Sequence, residues 1–213
     1  MSVGRSPFAV GRGNATADGQ RPTAYELIVV GCSLGGMRAL EKILSGLPKD
    51  FCIPMAVVQH RHRQSNEGLP SFLRRASHME VVDADDKQWI KPGTVYLAPA
   101  DYHLLVAKGE FNLSKDDLVR GSRPSIDVLF ETAADAYGPA VIGIVLTGAN
   151  EDGANGARRI KQRGDTVIAQ DPETAEAPTM PRAVIAAGVV DQILRLNDIA
   201  PFLVERCRLA LTS

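Results

Sequence analysis

The stretch that decides the fold of this chain is Glu26-Leu-Ile-Val-Val-Gly-Cys-Ser-Leu-Gly-Gly-Met37. Its first half is an apolar run rich in β-branched residues, which predicts a buried strand. Gly31, Gly35 and Gly36 predict a tight turn, and a helical pattern follows. A strand, a glycine turn and a helix that display Ser33 fit the G-x-S-x-G pattern of a nucleophile elbow. A serine in that position needs a base and an orienting acid elsewhere in the chain.

The composition is that of an ordinary globular protein, with 45% hydrophobic and 23% charged residues over a length of 213. A formal net charge of −1 argues against a protein that binds nucleic acid mainly through phosphates. No apolar run approaches the ~20 residues of a membrane span, and the first 24 residues lack the apolar core of a signal peptide. We therefore expect a cytoplasmic protein with a flexible arm over residues 1–24 and a single domain over residues 25–213.

Three cysteines, Cys32, Cys52 and Cys207, are too few and too odd in number for a disulfide framework. No Cys/His pair has the spacing of a zinc site. The expectation is a protein that uses neither metal nor cofactor.

Apolar runs alternate with helical patterns, which predicts an α/β fold with a doubly wound, mostly parallel sheet and helices on both faces. Strands are expected at 26–31, 53–59, 140–147, 166–170 and 189–194, and helices at 36–46, 68–76, 124–137, 152–163, 181–187 and 197–211. Pro124 suits the first position of the helix at 124–137. The short β-type pieces within 79–113 carry turn signals, so we expect an antiparallel hairpin region there, at one edge of the sheet.

Four histidines are candidates for the base. His60 follows the second apolar run, so it is expected just past the carboxyl end of a strand beside the one that precedes Ser33. The alternative is that His60 is only a hydrogen-bonded loop residue. His62 is expected to be solvated, His78 to lie at the surface and His103 to be structural.

Asp152 is the candidate acid, because it follows an apolar strand that ends at Thr147 and Gly148. It could also be no more than the N-cap of the next helix. Cys32 is a rival nucleophile, but neighbouring strand residues point to opposite faces, so it is expected to fill the core. A dinucleotide site is a further alternative; the G-x-G-x-x-G pattern, however, needs glycine where Ser33 stands.

Motifs spread from Glu26 to about Leu203 resemble the catalytic domain of the CheB-type protein-glutamate methylesterases of chemotaxis. They are Gly31-Cys-Ser-Leu-Gly-Gly36, Val58-Gln-His60, Pro92-Gly-Thr-Val-Tyr-Leu-Ala-Pro99, Arg123-Pro-Ser-Ile-Asp-Val-Leu-Phe130, Leu146-Thr-Gly148, Asp152-Gly-Ala154, Ala169-Gln-Asp171 and Met180-Pro181.

The resemblance implies a Ser–His–Asp triad at Ser33, His60 and Asp152, with no cofactor. It implies hydrolysis of glutamate γ-methyl esters on the cytoplasmic helices of chemoreceptors, with deamidation of glutamine in some members. The oxyanion would be met by the backbone N–H groups of Leu34 and Ala149.

Three departures from the family pattern stand out. Only 24 residues precede the first strand, where members commonly carry a receiver domain. Ala149 and Asn150 replace Met-Gly of the family's Thr-Gly-Met-Gly, and Arg61-His62 replaces Met-Pro after His60. The Ala149-Asn150 loop and the missing receiver domain keep open an alternative, a catalytically weak or inactive relative that binds signalling proteins. A separate receiver or kinase protein is expected as a further partner. A basic rim is expected to meet an acidic receptor helix. Its candidates are Arg38, Arg61, Arg63, Arg74, Arg75, Arg120 and Arg123.

Overall fold

The structure is a computed structural model that describes residues 25–60 and 68–211, with side chains described as far as residue 207. The predicted arm at 1–24 therefore lies outside the described residues. Nine strands occur in the described part: β1 (Leu27–Cys32), β2 (Met55–Gln59), β3 (Glu80–Asp83), β4 (Thr94–Leu97), β5 (His103–Ala107), β6 (Glu110–Ser114), β7 (Val141–Val145), β8 (Thr166–Gln170) and β9 (Gln192–Leu194). The α-helices there are α1 (Gly36–Ser45), α2 (Leu69–Ala76), α3 (Ile126–Tyr137), α4 (Ala154–Gln162), α5 (Thr179–Ala186) and α6 (Leu196–Leu211).

Seven strands form one sheet in the order β3-β4-β2-β1-β7-β8-β9, and every neighbouring pair is parallel. The chain builds outward from β1 in one direction and returns to β7 to build in the other. The carboxyl ends of β1 and β7 therefore lie at the point where the strand order reverses, which is where ligands bind in such sheets.

Helices cover both faces of this sheet, and the central strands are therefore buried on both sides. One apolar cluster joins the sheet to α1, α2 and α6 through residues such as Leu40, Leu73 and Leu203. The other joins it to α3, α4 and α5 through residues such as Phe130 and Ile160. The predicted doubly wound, mostly parallel α/β fold is confirmed.

The antiparallel part of the fold is smaller than predicted. Only β5 and β6 pair antiparallel, as a separate two-stranded sheet joined to α3 by the bond from Val106 N–H to Thr132 Oγ1 at 3.1 Å. Antiparallel pairing is wrong for β3 and β4, which lie parallel at one edge of the main sheet. Residues 84–93 carry the chain back to the start of β4, and parallel pairing there buries all four β4 residues.

The helix expected from Pro124 begins at Ile126 instead. Ser125 is its N-cap, and the Arg123–Pro124 peptide bond ahead of it is cis. Pro124 thus lies before the helix rather than at its first position. The first N–H groups of α3 are free to bind a group from elsewhere in the chain, and the site makes use of them.

Among the described helices, none has the length and apolar character that a membrane crossing requires.

Candidate active site

The turn between β1 and α1 presents Ser33 at the edge of the sheet. Its backbone N–H donates to Thr147 O at 2.9 Å, which ties the turn to the neighbouring strand β7. Gly35 has a φ of +79°, in the left-handed region that glycine adopts most easily. A side chain at Gly36 would collide with those of Gln59 and Cys32. The two glycines therefore allow the chain to turn tightly and leave Ser33 partly exposed.

His60 lies beside this turn because β1 and β2 are in register. Cys32 pairs with Gln59, and the His60 N–H donates to Cys32 O at 3.0 Å. The Gln59 side chain donates to Ser33 O at 2.8 Å and so joins the ends of the two strands. A cleft of about 480 Å³ opens at this edge, lined by Ser33, Leu34, Gly35, Met37, Arg38, Gln59, His60 and Glu176.

Asp152 follows β7, and its buried side chain reaches His60. The distance from His60 Nε2 to Asp152 Oδ2 is 2.8 Å. The carboxylate is not the cap of its own helix, α4, whose N-cap is Gly153. Instead it lies at the N-terminus of α3, where Ile126 N–H donates at 2.7 Å and Asp127 N–H at 3.0 Å. The Ser125 hydroxyl adds a third bond at 3.0 Å.

The partners of Asp152 decide its ionisation. Burial alone opposes the charged form, but the bonds from His60 and from the Asp127 and Ile126 N–H groups outweigh it and hold the pKa of Asp152 below its ordinary value. An ionised carboxylate can only accept hydrogen bonds, so Nε2 of His60 carries a proton. The other ring nitrogen, Nδ1, is left as the acceptor.

Asn150 contacts that second nitrogen. Its Nδ2 lies 3.3 Å from His60 Nδ1, and its Oδ1 accepts the Asp152 N–H at 3.2 Å. Within the described ranges, no hydrogen bond joins Ser33 Oγ to His60. Sequence reasoning noted Asn150 only as a departure from a motif, and nothing local in the pattern indicated this contact.

Two backbone N–H groups flank Ser33. Those of Leu34 and Ala149 donate no hydrogen bond to any described residue. The Ser33 carbonyl, which shares a peptide group with the Leu34 N–H, accepts from Gln59 Nε2 at 2.8 Å, and the Leu34 carbonyl accepts from Thr147 Oγ1 at 2.8 Å. A side chain at Gly148 would approach Ser33 Cβ to 3.0 Å, so the loop that carries Ala149 packs directly against the serine.

The N-terminus of α3 is itself held by groups that the sequence did not single out for the site. The buried His103 accepts the Ser125 N–H at Nδ1 and, through Nε2, donates to Asp117 O at 3.0 Å. Asp127 accepts the Gly153 and Gly156 N–H groups, at 2.9 and 2.8 Å, and so joins α3 to the start of α4. Only the position of the helix start in the sequence could have indicated these residues.

The structure places the other histidines and the rival nucleophile Cys32 as follows. His103 is structural and His78 is exposed, as predicted. His62 lies outside the described residues. Cys32 is fully buried, burial raises the pKa of its thiol, and Sγ donates to Gln59 Oε1, so its predicted place in the core is confirmed.

Fewer arginines than predicted are available at the rim of the cleft, because several of them bond other groups of the protein. Arg38 lines the cleft, whereas Arg120 pairs with Asp127 at 3.2 Å and Arg123 pairs with Asp101 at 2.7 Å. Arg74 donates to Val81 O. Arg61 and Arg63 lie outside the described residues. No group of three or more His, Cys, Asp or Glu side chains in residues 25–60 and 68–211 is arranged to hold a metal ion.

A parallel α/β sheet that gathers a serine, a histidine and a buried aspartate at one edge has the layout of a serine hydrolase. Residues 28–203 match the CheB methylesterase family model, so the chain belongs to the CheB methylesterase family. The crystal structure of the Thermotoga maritima CheB methylesterase catalytic domain superposes with a TM-score of 0.82 and 38% identity, over 86% of this chain and 99% of that one.

Curated relatives agree. A putative protein-glutamate methylesterase/protein-glutamine glutaminase of Leptospira interrogans is 45% identical over 182 residues, which are 85% of this chain and 94% of the relative. The protein-glutamate methylesterase/protein-glutamine glutaminase of Thermotoga maritima is 39% identical over 184 residues, and protein-glutamate methylesterase FrzG of Myxococcus xanthus is 36% identical over 192. The matches span 54% and 58% of the length of these two proteins.

The resemblance stated from the motifs is thereby confirmed. The chain is a carboxylic ester hydrolase of the protein-glutamate methylesterase type. These relatives are named as enzymes, which favours a catalyst over the alternative of an inactive binding module.

Proposed function

We propose that Ser33, His60 and Asp152 are the catalytic triad of this methylesterase, and that it acts on methylated glutamate side chains of chemoreceptor-type signalling proteins. The observation that carries the proposal is the 2.8 Å contact between the buried Asp152 carboxylate and His60 Nε2, at the strand end adjacent to Ser33. That contact orients the ring and leaves Nδ1 as the only nitrogen able to accept a proton.

In the proposed mechanism, Ser33 Oγ attacks the carbonyl carbon of the ester while His60 Nδ1 takes the hydroxyl proton. Asp152 retains its bond to Nε2–H and stabilises the imidazolium that forms. The proton then passes from Nδ1 to the departing methoxide, which leaves as methanol. Water, activated by the same nitrogen, hydrolyses the glutamyl–Ser33 ester to a free glutamate and restores the serine.

The oxyanion is stabilised by the N–H groups of Leu34 and Ala149, which no described residue occupies. Because these are backbone donors, alanine at position 149 supplies the same N–H as methionine would. A glutamine substrate would follow the same route with ammonia as the leaving group, and the names of the Leptospira and Thermotoga relatives include this second activity.

The surroundings of the cleft suit a protein substrate. Leu34 and Met37 are 56% and 44% exposed beside Ser33, and the cleft lining also includes one cation, Arg38, and one anion, Glu176. Exposed apolar side chains beside a cleft with charges of both signs favour an amphipathic helix as the substrate segment. A cytoplasmic location, and a separate receiver or kinase protein as a partner, complete the proposal.

The test is methanol release by the purified protein from a methylated chemoreceptor fragment and from a small glutamyl γ-methyl ester. Ser33→Ala should lower kcat on both substrates by about 10⁴-fold or more, because removing a triad nucleophile leaves only binding and oxyanion stabilisation. Ser71→Ala, at an exposed serine of α2, is the matched control and should retain full turnover.

A Ser33→Ala variant with near-parental turnover would exclude this serine as the nucleophile. Absence of labelling of the wild-type protein by a fluorophosphonate probe would favour the binding-module alternative. Hydrolysis of the small ester without any action on the receptor fragment would exclude that substrate and leave the triad intact.

A further inference from the structure

Asn150 is held in one orientation. Its Oδ1 accepts the Asp152 N–H at 3.2 Å, so the other end of the amide, the NH₂ group, faces His60 Nδ1 at 3.3 Å. The two contacts assign the oxygen and the nitrogen of this side chain together, because an N–H needs an acceptor and an unprotonated ring nitrogen needs a donor. Both nitrogens of the His60 ring are then bonded, Nε2 to Asp152 and Nδ1 to Asn150.

A neutral imidazole has a single lone pair in the plane of its ring, and in His60 this lone pair is on Nδ1. On the proposed mechanism, Nδ1 must accept the proton of Ser33. Asn150 and Ser33 therefore compete for one acceptor. In the described part of the structure Asn150 holds it, and no bond joins Ser33 Oγ to the ring.

We propose that Asn150 is a positioning residue: it holds the resting His60 with its proton on Nε2 and yields Nδ1 to Ser33 when substrate enters. This inference rests on the proposed function. The contact at 3.3 Å is longer than the 2.8 Å bond to Asp152, so the weaker of the two partners is the one that gives way.

The same contact favours a free lone pair on Nδ1, because the Asn150 NH₂ group is a donor. If Nδ1 gained a proton, two donors would face each other, since Oδ1 of Asn150 is already bonded to the Asp152 N–H. Asn150 therefore opposes protonation of the base before the reaction. It also favours transfer of the proton from Nδ1 to the leaving group once the intermediate has formed.

Three variants test this role through the dependence of kcat on pH, measured with a small glutamyl methyl ester. Asn150→Asp retains an oxygen for the Asp152 N–H but turns a carboxylate oxygen toward Nδ1. A carboxylate at that distance stabilises the protonated ring, so the acidic limb of the profile should move up by about one pH unit or more, with turnover restored at higher pH. Asn150→Ala removes the donor without adding charge and should move the limb in the same direction by less.

The matched control is Asn155→Asp, which adds the same charge in the first turn of α4, where the side chain bonds Arg158 and not His60. Its acidic limb should stay within a few tenths of a pH unit of the parent's. The titration of the His60 ring is also followed by NMR in a Ser33→Ala background, without substrate. The order parent, Asn150→Ala, Asn150→Asp is expected there as well.

A loss of kcat by one factor at every pH, with no movement of the limb, would show that Asn150 only shapes the loop and would overturn the proposal. So would equal titration of His60 in the parent and in Asn150→Asp. If Ser33→Ala remains active, the triad fails; the NMR titration still tests the contact between Asn150 and His60 independently of that result.

Discussion

The two ends of helix α4 carry two aspartates that are almost equally buried and behave in opposite ways. Asp152, just before the helix, is 2% exposed, and Asp165, just after it, is 4% exposed. Four donors surround the Asp152 carboxylate: the His60 ring, the Ser125 hydroxyl and two N–H groups of α3. Asp165 accepts the Val141 N–H at 2.9 Å, and its Oδ2 has no partner among the described residues.

The difference shows that several hydrogen-bond donors can outweigh burial and keep an inner carboxyl charged. Burial raises the pKa of both groups. At Asp152 the donors outweigh burial, and the pKa falls below its ordinary value. At Asp165 the single N–H is not enough, and burial raises the pKa from 3.8 to about 7. One end of α4 thus holds a carboxylate that is ionised at neutral pH, and the other holds a carboxyl group whose pKa is raised to about 7.

The largest expected effect comes from Asp152→Asn. An amide that turns its NH₂ toward His60 Nε2 forces the ring proton onto Nδ1, so the base can no longer accept from Ser33. We expect kcat on a methyl ester to fall by about 10⁴-fold, the size of loss that a wrong histidine tautomer causes in other triads. Asp165→Asn, the same substitution at the other end of α4, is the control and should leave kcat unchanged. Equal losses in both variants would mean that the substitutions act through folding.

Asp165→Asn has the next largest effect, on stability rather than on turnover. Below about pH 4 the aspartate is protonated in both the folded and the unfolded chain, so it contributes no pH dependence. Between pH 4 and 7 the unfolded chain releases a proton that the folded chain retains, so the parent loses stability as the pH rises through this window. The total loss is up to ~4 kcal/mol. The asparagine keeps an oxygen for the Val141 N–H and removes the ionisation.

This second prediction is measured by chemical denaturation of both proteins at several values between pH 4 and 8. The advantage of the variant in free energy of unfolding should grow up to about pH 7 and then stay constant. A difference that is the same at every pH would show that the Asp165 carboxyl does not titrate in this range.

The smallest expected effect comes from Ser125→Ala, which tests how much a single donor to the Asp152 carboxylate contributes. Ser125→Ala removes one of the four bonds to Asp152 and leaves its charge and its contact with His60 in place. A hydrogen bond to a charged group contributes ~1.5 kcal/mol, so we expect kcat to fall about tenfold. Ser125→Thr retains a hydroxyl and should recover most of the rate. A loss in Ser125→Ala as large as that in Asp152→Asn would contradict the idea that the four donors act together.

The sequence predicts the site better than it predicts what surrounds it. Ser33, His60 and Asp152 each follow a recognisable apolar strand, and parallel strands bring their carboxyl ends to one edge, so local patterns were enough to predict that the three residues lie together there. The partners of Asp152 are donors more than twenty residues away, at the start of α3, where the pattern indicated only a helix. The parallel pairing of β3 with β4 likewise depends on contacts with the rest of the main sheet, far away in the sequence. The turn signals between the short strands do not indicate whether the strands pair parallel or antiparallel.

The position of Asp152 has a further consequence for the time at which a newly made chain becomes reactive. Its carboxylate is oriented by His60, which follows β2, and by the start of α3, so the bonded pair of Asp152 and His60 exists only after three distant stretches of polypeptide have assembled on the sheet. On the proposed mechanism, a half-assembled molecule, or one in which α3 has come loose, has no working base. During refolding, hydrolytic activity would then return only when the last of these three segments packs onto the sheet. The return of activity would therefore mark the end of folding.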